Sequence, residues 1–384
     1  MGIKCKAAFI AAALLIAAGI SSAWCGAKSE AAAKGAGEFT VTDLAGRQVT
    51  LKLPVKTVSI NWSGSGGAFM TMSALLEKDV AAHISSWDGG LQKFRFDMYD
   101  EYSSKIPALE QIPVVSGIEY NDFNMEKLVQ LKPDVVIWTL GVREQAKEMA
   151  EAVLAAAGIP LVYIDYHAET IENHSKSTRL LGQLFGKEQR AGELIKFYVD
   201  NMNMIDKRIA DVKNKPTVYM EVTMTGPGAY GNTYANNYMW GAMVVKAGGT
   251  NMADGIVVNA KPVEAELVLS KNPDYIILTG SYWPNSPESV RMGYLSNEED
   301  TQRLIRAYFD RPGWKTLAAY KNKRVYAIHH GLGREIYDVA AVAFLAKCIH
   351  PEQFADVEPM DMLREYYDRF LPYDLYGVWM THLN

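Results

Sequence analysis

The chain has 384 residues, of which 49% are hydrophobic and 22% are charged, and its formal net charge is -5. This balance is typical of a globular protein and excludes disorder as the main state. The length allows two hydrophobic cores of ordinary size. The sequence has no basic stripe of the kind that binds nucleic acid, so we expect no nucleic-acid partner.

The first 25 residues predict an export signal (1–25). Lys4 and Lys6 form a small positive region, and the 14 residues from Ala7 to Ile20 are apolar. Such a run is too short to span a bilayer comfortably but has the length of a secretory signal core. We therefore expect an exported protein that is periplasmic or located at the cell surface.

The processing of this signal has two alternatives. The segment Ser22-Ala23-Trp24-Cys25 resembles a bacterial lipobox, in which Cys25 would be lipidated, but Trp24 stands where a small residue is usual. The other alternative is ordinary cleavage after Ala23. Residues 26–38 are small and polar, which predicts a flexible tether of the kind that a lipid-anchored protein needs. Cys348 is then the only thiol of the folded part, so no internal disulfide is expected.

Strand and helix patterns alternate along the next 130 residues. Residues 39–51 predict a hairpin with its turn at Ala45-Gly46. Strands are predicted at 57–60, 80–84, 135–138 and 161–164, and helices at about 68–78, around Glu126 and at 144–157. This alternation predicts an α/β lobe (39–170) with a mostly parallel sheet.

A long helical pattern separates this lobe from a second one. It covers 171–212 and is interrupted near Gly186, and its second part carries one continuous apolar stripe. The linking segment (171–213) is therefore expected to contain a stiff helix. Residues 214–384 repeat the α/β plan, with strands at 218–222, 275–277 and 325–328, helices at 239–247, around Glu266, at 298–309 and at 336–349, and a helical, aromatic-rich tail from 359.

Two segments 140 positions apart are nearly the same sequence. Glu126 is followed seven residues later by Pro133-Asp134, and Glu266 is followed seven residues later by Pro273-Asp274, in each case before a β-branched run. Each unit predicts a short amphipathic helix, stopped by proline, that leads into a buried parallel strand. The repetition predicts two similar lobes with a cleft between them.

These features together resemble the periplasmic-binding-protein family that delivers iron-siderophores, haem or cobalamin to ABC importers. The resemblance covers about residues 39–370. It rests on the opening hairpin Thr40-Val41-Thr42-Asp43-Leu44-Ala45-Gly46-Arg47, the repeated unit, the long linking helix, the segment from Trp314 to Tyr326, and His350-Pro351-Glu352-Gln353-Phe354. It implies two Rossmann-like lobes joined by one long α-helix, a monomer, no catalytic residues and no resident cofactor.

The resemblance also implies partners. In this family each lobe presents an acidic side chain to the permease dimer, which works with its ATPase. By their positions in the repeated unit, these side chains would be Glu126 and Glu266, with Glu264 as a rival for the second position. Two carboxylates at equivalent places on two lobes would set the register of docking and its rate.

Ligands of open α/β lobes bind at the carboxyl ends of the strands. The residues expected there are aromatic side chains and a few cations, a mixture that suits a bulky, partly apolar and anionic ligand such as a ferric siderophore or a tetrapyrrole. They are Trp62, Trp87, Trp138, Arg143, Tyr166, His167, Tyr230, Tyr234, Tyr282, Trp283, His329, His330 and Arg334. Arg95 lies in an aromatic segment that could form an extra helix over the cleft, but a solvated face is the favoured expectation.

Three other readings of the site remain open. The loop Gly64-Ser65-Gly66-Gly67 precedes a helix, and its amides could hold an oxyanion such as molybdate. His167, His329 and Asp165 could bind a bare metal ion, but no spacing motif enforces this. Ser63 or Ser65 could form a hydrolase site with a histidine, although no Gly-x-Ser-x-Gly motif is present.

Overall fold

The computed structural model describes residues 37–384 of the chain. The predicted signal peptide, Cys25 and the tether up to residue 36 lie outside the described residues. At the start of the described part, strands β1 (Gly37–Thr42) and β2 (Gln48–Leu53) pair antiparallel, as the hairpin pattern predicts. The Asp43 carboxylate accepts hydrogen bonds from the backbone N–H groups of Ala45 and Arg47 and so fixes the turn.

The first sheet is fully parallel and has the order β4-β3-β5-β6. Its strands are β3 (Val58–Ile60), β4 (Ile84–Trp87), β5 (Val135–Thr139) and β6 (Leu161–Ile164). The strand predicted at 80–84 is wrong, because residues 77–83 form a 3₁₀-helix and β4 begins only at Ile84. A short apolar run does not distinguish a strand from a buried helical turn.

The helices of this half cover the sheet. They are α1 (Phe69–Leu76), α2 (Gly90–Phe94), α3 (Phe96–Lys105), α4 (Met125–Gln130), α5 (Arg143–Met149) and α6 (Glu151–Ala156). The single helix predicted over 144–157 is in fact two helices, since the backbone at Ala150 leaves the helical region with a φ of -130°.

Two helices follow β6 and connect the halves. They are α7 (Ile171–Leu184), whose first turn is capped by the Thr170 side chain, and α8 (Glu188–Ile209). The predicted interruption near Gly186 is confirmed, and this glycine has a φ of 63°. Helix α8 has 22 residues, which corresponds to about 33 Å. Its predicted apolar stripe is buried.

The second sheet has the order β13-β12-β11-β7-β9 and is parallel except for β13. Strands β8 and β10 form a separate antiparallel pair. The strands are β7 (Thr217–Val222), β8 (Thr233–Tyr234), β9 (Thr250–Asn251), β10 (Ala260–Lys261), β11 (Tyr275–Gly280), β12 (Val325–His329) and β13 (Met380–His382). The sequence pattern does not predict β13, an edge strand added by the tail.

The helices of the second half lie on both sides of its sheet. They are α9 (Met239–Lys246), α10 (Ala265–Lys271), α11 (Glu298–Tyr308), α12 (Ala318–Lys321), α13 (Val339–Ile349) and α14 (Pro359–Phe370). None of the helices within 37–384 is long and apolar enough to cross a membrane.

The repeated unit has the same structure in both halves. Asp134 accepts a hydrogen bond of 2.9 Å from the Thr57 backbone N–H just before β3, and Asp274 accepts one of 2.8 Å from the Thr217 N–H at the start of β7. Each aspartate therefore ties the loop after a short helix to the neighbouring central strand. This contact explains physically why Pro-Asp occurs twice at matched positions.

One region of the first half also packs against the C-terminal tail. The hydroxyl groups of Tyr102 in α3 and Tyr367 in α14 lie 2.9 Å apart, and Tyr102 stacks on Tyr373 at 3.7 Å between ring centroids. Asp97 accepts a hydrogen bond from the Tyr294 backbone N–H, and a Cβ on Gly293 would lie 1.8 Å from this carboxylate. Helix α3 therefore closes one side of the space between the two sheets.

Candidate functional site

A cavity of about 200 Å³ lies between the two halves, at the carboxyl ends of their parallel strands. Residues after β3 and β4 form one wall, and residues after β7, β11 and β12 form the other. The lining residues are Trp62, Gly64, Ser65, Asp88, Gly90, Phe94, Arg95, Glu119, Tyr120, Val222, Met224, Asn232, Tyr234, Trp283, His330 and Arg334.

The glycine-rich loop after β3 forms the floor of this cavity. A Cβ on Gly67 would lie 2.2 Å from the Asn61 carbonyl oxygen, so the tight turn requires glycine there. The N–H of Ser63 donates to Asp88, and that of Gly66 donates to Glu335. The N–H of Ser65 donates to a carbonyl within the loop. These three amides are already satisfied by the protein itself.

Arg334 lies in the loop after β12 and is only 8% exposed. Its guanidinium lies 5.2 Å from the centroid of the Trp62 ring and donates a 3.3 Å hydrogen bond from Nη1 to Nε2 of His167. Its Nε is buried and has no hydrogen-bond partner in the described part of the chain. Within residues 37–384, no carboxylate oxygen lies within 4.0 Å of its guanidinium nitrogens.

Arg95 approaches the cavity from the junction of α2 and α3 and is 3% exposed. Its Nη1 donates to the Phe94 carbonyl oxygen at 2.5 Å, and its buried Nε has no hydrogen-bond partner among residues 37–384. Burial, and secondly the positive charge of Arg334, lower the pKa of Arg95 to about 10. In the described part of the chain this arginine also has no carboxylate within ion-pair distance. The expectation that Arg95 lies on a solvated face is wrong; its two flanking phenylalanines were the signal of burial.

His330 adds a directed hydrogen-bond donor to the same cavity. The indole N–H of Trp240 donates to its Nδ1 at 3.1 Å. An indole nitrogen can only donate, so Nδ1 is the acceptor and the neutral ring carries its hydrogen on Nε2. Burial, followed by the charges of Arg95 and Arg334, lowers the pKa of His330 well below its ordinary value. The ring is therefore neutral.

Aromatic and apolar side chains complete the walls and the mouth. Tyr234 and Trp283 are buried against His330, with ring centroids 6.5 and 6.0 Å from its ring. At the mouth, Tyr120 is 37% exposed and Met224 is 42% exposed. The lining therefore combines these apolar and aromatic side chains with the two arginines and with the carboxylates of Asp88 and Glu119.

Of the thirteen residues expected at the cleft, five line the cavity. They are Trp62, Tyr234, Trp283, His330 and Arg334. His167 lies directly behind them, with its ring 4.6 Å from that of Trp62 and hydrogen bonded to Arg334. These six residues come from both halves of the molecule, as their positions after strand ends predict.

Seven expected residues lie elsewhere. Trp87, Trp138 and Tyr166 are buried in the hydrophobic cores of the first half, because each side chain turns away from the strand end into the packed layer. Arg143 begins α5 and does not line the cavity. Tyr282 packs on Phe96.

Tyr230 and His329 are held by other clusters. The Tyr230 hydroxyl accepts a hydrogen bond from the Trp314 indole N–H, and its ring lies 4.3 Å from the Arg311 guanidinium. His329 is fully buried beside Asp97, with 3.5 Å between Nε2 and Oδ2, so adjacent His329 and His330 point into different surroundings. Side-chain direction at a strand end depends on tertiary packing and could not be read from spacing.

The arrangement does not support nucleophilic catalysis by the two loop serines. The Ser63 hydroxyl donates to Asp88 at 2.5 Å, and the Ser65 hydroxyl donates to the Gly333 carbonyl oxygen at 2.9 Å. Neither hydroxyl is activated by a histidine, as a serine nucleophile requires. What the site offers is two buried guanidinium groups and an imidazole N–H between aromatic walls, which is an arrangement for binding.

Comparison with known proteins agrees with this interpretation. A family model described as periplasmic binding protein matches residues 80–331. The structure is similar to that of a TroA-like periplasmic binding protein FepB from Veillonella parvula, with a TM-score of 0.86, 44% identity, and coverage of 90% of this chain and 99% of that one. The fold class expected from the sequence, two α/β lobes with mostly parallel sheets, is confirmed.

Two curated relatives carry different names. The molybdate-binding protein MolA of Haemophilus influenzae is 25% identical over 312 residues, which cover 76% of this chain and 80% of the relative. A cobalamin-binding protein of Halobacterium salinarum is 27% identical over 248 residues, covering 63% and 59% respectively. Together with the family match, these similarities show that the chain belongs to the periplasmic binding protein family and is the exported substrate-binding protein of an ABC importer, not an enzyme.

Proposed function

We propose that the cleft captures an anionic metal chelate, in the first place a ferric siderophore, and delivers it to the permease dimer. The observation that carries this proposal is the pair of buried arginines, Arg95 and Arg334, at the cavity: among residues 37–384, no carboxylate oxygen lies within 4.0 Å of either guanidinium. Each guanidinium lost hydration on burial, at a cost of several kcal/mol that an ion pair normally offsets. A bound anion would supply the missing partner.

The lining residues offer contacts both for the anionic groups of a chelate and for an apolar body that extends beyond them. Its anionic oxygens would accept hydrogen bonds from the two arginines and from Nε2–H of His330. Its apolar body would contact the Trp62 and Trp283 rings and extend to the partly exposed Tyr120 and Met224 at the mouth. Aromatic walls with a few directed polar groups are the usual composition of such sites.

A bare oxyanion such as molybdate is the second candidate, and haem and cobalamin remain alternatives for the same fold. The similarity to MolA favours the oxyanion, as does the modest cavity volume of about 200 Å³. In this case the side-chain donors, and not the amides of Ser63, Ser65 and Gly66, would bind the ion, because those amides already have acceptors.

Ligand titration followed by quenching of tryptophan fluorescence tests the proposal. The probes are a ferric tricatecholate, a ferric trihydroxamate, haem, cyanocobalamin and molybdate. We expect a ferric chelate to bind, and Arg334→Met to weaken binding about 10- to 100-fold, the effect of losing one charge-assisted hydrogen bond. The control Arg303→Met changes an exposed arginine and should leave the affinity unchanged. Binding of molybdate alone would replace the first candidate by the second, and binding that is insensitive to Arg334→Met would overturn both.

We also propose that Glu126 and Glu266 dock the protein onto the permease. Both carboxylates are exposed and occupy the second position of α4 and α10, the helices of the repeated unit. Two matched charges on two halves suit recognition by a dimer. The lipid anchor at Cys25 and the monomeric state belong to the same proposal.

Uptake of the bound probe by cells tests the docking residues. The double variant Glu126→Ala/Glu266→Ala should abolish uptake and leave ligand affinity unchanged, because neither side chain lines the cavity. The matched control is Glu126→Ala/Glu264→Ala, which should retain more uptake. An equal loss in both double variants, or a parallel loss of affinity, would contradict the assignment of Glu266.

A further inference from the structure

Four ionisable side chains meet beneath the cavity, between the two halves. We refer to Glu169, His174, Lys246 and Asp338 as the inter-lobe cluster. Glu169 and His174 belong to the loop after β6 and to α7, whereas Lys246 ends α9 and Asp338 precedes α13. The side chains of Glu169, His174 and Asp338 are fully buried.

This cluster is joined directly to a cavity arginine. Oε1 of Glu169 accepts a 3.0 Å hydrogen bond from the backbone N–H of Arg334. Glu169 and Arg334 both have positive φ values, 53° and 66°, which non-glycine residues adopt at a cost of about 1–3 kcal/mol. Such strain persists only where the surroundings enforce it. The hydrogen bond links two strained residues and fixes the backbone from which the Arg334 side chain reaches the cavity.

A second carboxylate holds the same loop. Oε1 of Glu335 accepts a 2.9 Å hydrogen bond from the Gly66 N–H in the loop after β3. A Cβ on Gly66 would lie 3.3 Å from the Arg334 Cβ, so the two loops are in close contact. The position of Arg334 is therefore set from both halves, and its N–H bond to Glu169 is the contact that involves its own backbone.

The cluster contains a shared proton. Nδ1 of His174 lies 3.0 Å from the Thr170 carbonyl oxygen, which can only accept, so Nδ1 carries a hydrogen. Nε2 lies 2.8 Å from Oδ2 of Asp338, and one proton must lie between them. Burial favours the neutral forms of both partners: it lowers the pKa of His174 to about 4 and raises that of Asp338 to about 6.

Of the three fully buried groups in the cluster, Glu169 has the highest pKa. Burial, and secondly the charge of Asp338, raise its pKa to about 8. A side-chain hydrogen bond to Asp338 also raises the pKa of Glu169, and the buried Nζ of Lys246 has no hydrogen-bond partner within the described chain. The ligand atoms of Glu169, His174 and Asp338 lie within 4.8 Å of one another, as in a metal site. However, the Lys246 ammonium lies 4.0 Å from Oε2 of Glu169 and already supplies a cation there.

We propose that Glu169 is a positioning residue for Arg334, and that protonation of Glu169 within the inter-lobe cluster couples anion binding in the cleft to proton uptake. The inference rests on the proposed anionic ligand. Loss of a negative charge beside Arg334 strengthens attraction of an anion to the cavity, and by linkage a bound anion favours protonation of Glu169. Affinity for an anion should therefore rise as pH falls.

Each element that packs against Glu169 contributes charged or titratable groups to its surroundings. Asp338 opposes its ionisation, whereas Lys246 and a protonated His174 favour it. Asp165 acts on His174, the ring of Tyr198 stacks on His174 at 5.1 Å, and the Tyr166 ring meets it edge-on. The remaining neighbours are Arg334 and Glu335.

The test uses Glu169→Gln, in which the amide oxygen can still accept the Arg334 N–H but cannot titrate. Binding of molybdate and of a ferric tricatecholate is measured by calorimetry from pH 6 to pH 9. The unsubstituted protein should lose roughly tenfold in affinity over this range, and Glu169→Gln should bind equally at all pH values. The control Glu172→Gln removes an exposed carboxylate in the first turn of α7, three residues along the chain, and should keep the wild-type profile.

Two further measurements separate this inference from the proposed function. Calorimetry of the unsubstituted protein in buffers of different ionisation enthalpy should show proton uptake at pH 8, and this requires no variant. The melting temperature should fall as pH rises through about 8, because a carboxyl group with a raised folded pKa stabilises only while it is protonated. A flat affinity profile with no proton uptake would overturn the coupling while leaving anion binding intact; failure to bind either probe would overturn both.

Discussion

Buried arginines occur in two contrasting environments in this molecule. Arg311, in the second half, donates from Nη1 and Nη2 to the two carboxylate oxygens of Glu221, each at 2.8 Å. Its Nε donates to the Pro227 carbonyl oxygen, and three aromatic rings lie within 4.6 Å of its guanidinium carbon, those of Tyr230, Tyr308 and Trp314. All three nitrogens of this guanidinium therefore donate hydrogen bonds, and aromatic rings pack around it.

Arg95 and Arg334 are as deeply buried as Arg311, at 3%, 8% and 7% exposure respectively. Nevertheless, each of the cavity arginines has an unpartnered Nε and no carboxylate within ion-pair distance among residues 37–384. Burial alone therefore does not distinguish a structural arginine from a binding one. The distinction is whether the fold itself supplies the counter-charge.

The largest expected effect is a loss of stability when the ion pair between Arg311 and Glu221 is broken. Arg311→Met leaves the fully buried Glu221 carboxylate without its counter-ion, and breaking a buried pair in this way destabilises a protein by about 3–5 kcal/mol. Calorimetric or denaturant unfolding of the ligand-free protein measures this loss. A change below about 1 kcal/mol would show that Arg311 is not the structural partner of Glu221.

The matched control for this variant is Arg208→Met. Arg208 also forms a bidentate pair, with Asp356 at 2.6 and 2.9 Å, but that carboxylate is mainly exposed. Water and salt screen such pairs, so the melting temperature should be nearly unchanged. A loss equal to that of Arg311→Met would mean that the geometry of the pair, and not its burial, determines its contribution.

For Arg95, at the cavity, we expect a smaller change in stability, and of the opposite sign. Arg95→Met removes a desolvated charge that forms no ion pair within 4.0 Å among residues 37–384, so the ligand-free protein should unfold at the same temperature as the unsubstituted protein or at a slightly higher one. Affinity for the anionic probe should decrease at the same time. Thermal unfolding with and without probe measures both quantities. A stability loss like that of Arg311→Met would place Arg95 among the structural arginines.

Much of the fold could be predicted from local patterns. The hairpin, the break near Gly186 and the parallel strands follow from period, turn residues and β-branched runs. The repeat of Glu126 and Glu266 before Pro-Asp predicts two similar halves, and the matched hydrogen bonds of Asp134 and Asp274 give it a structural basis. The short 3₁₀-helix at 77–83 and the edge strand β13 were not predictable, since neither has a distinctive period.

The site was predictable only in part. Positions after strand ends select Trp62, Trp283 and His330, which line the cavity, because parallel strands bring their carboxyl ends to one edge. The same rule also selects Trp138, which is buried in the core. The rule does not select Arg95, which follows no strand and reaches the cavity from the junction of α2 and α3.

Periodicity and the order of motifs along the chain are enough to predict the family, the two α/β halves and the general place of the cleft. Which charges have partners follows instead from the three-dimensional packing. Arg311 meets a glutamate 90 residues away, Glu221, whereas Arg95 reaches the cavity with no carboxylate oxygen within 4.0 Å in the described part of the chain. This difference depends on long-range packing. Local sequence does not indicate which distant residues pack together, and this packing determines the electrostatics of the site.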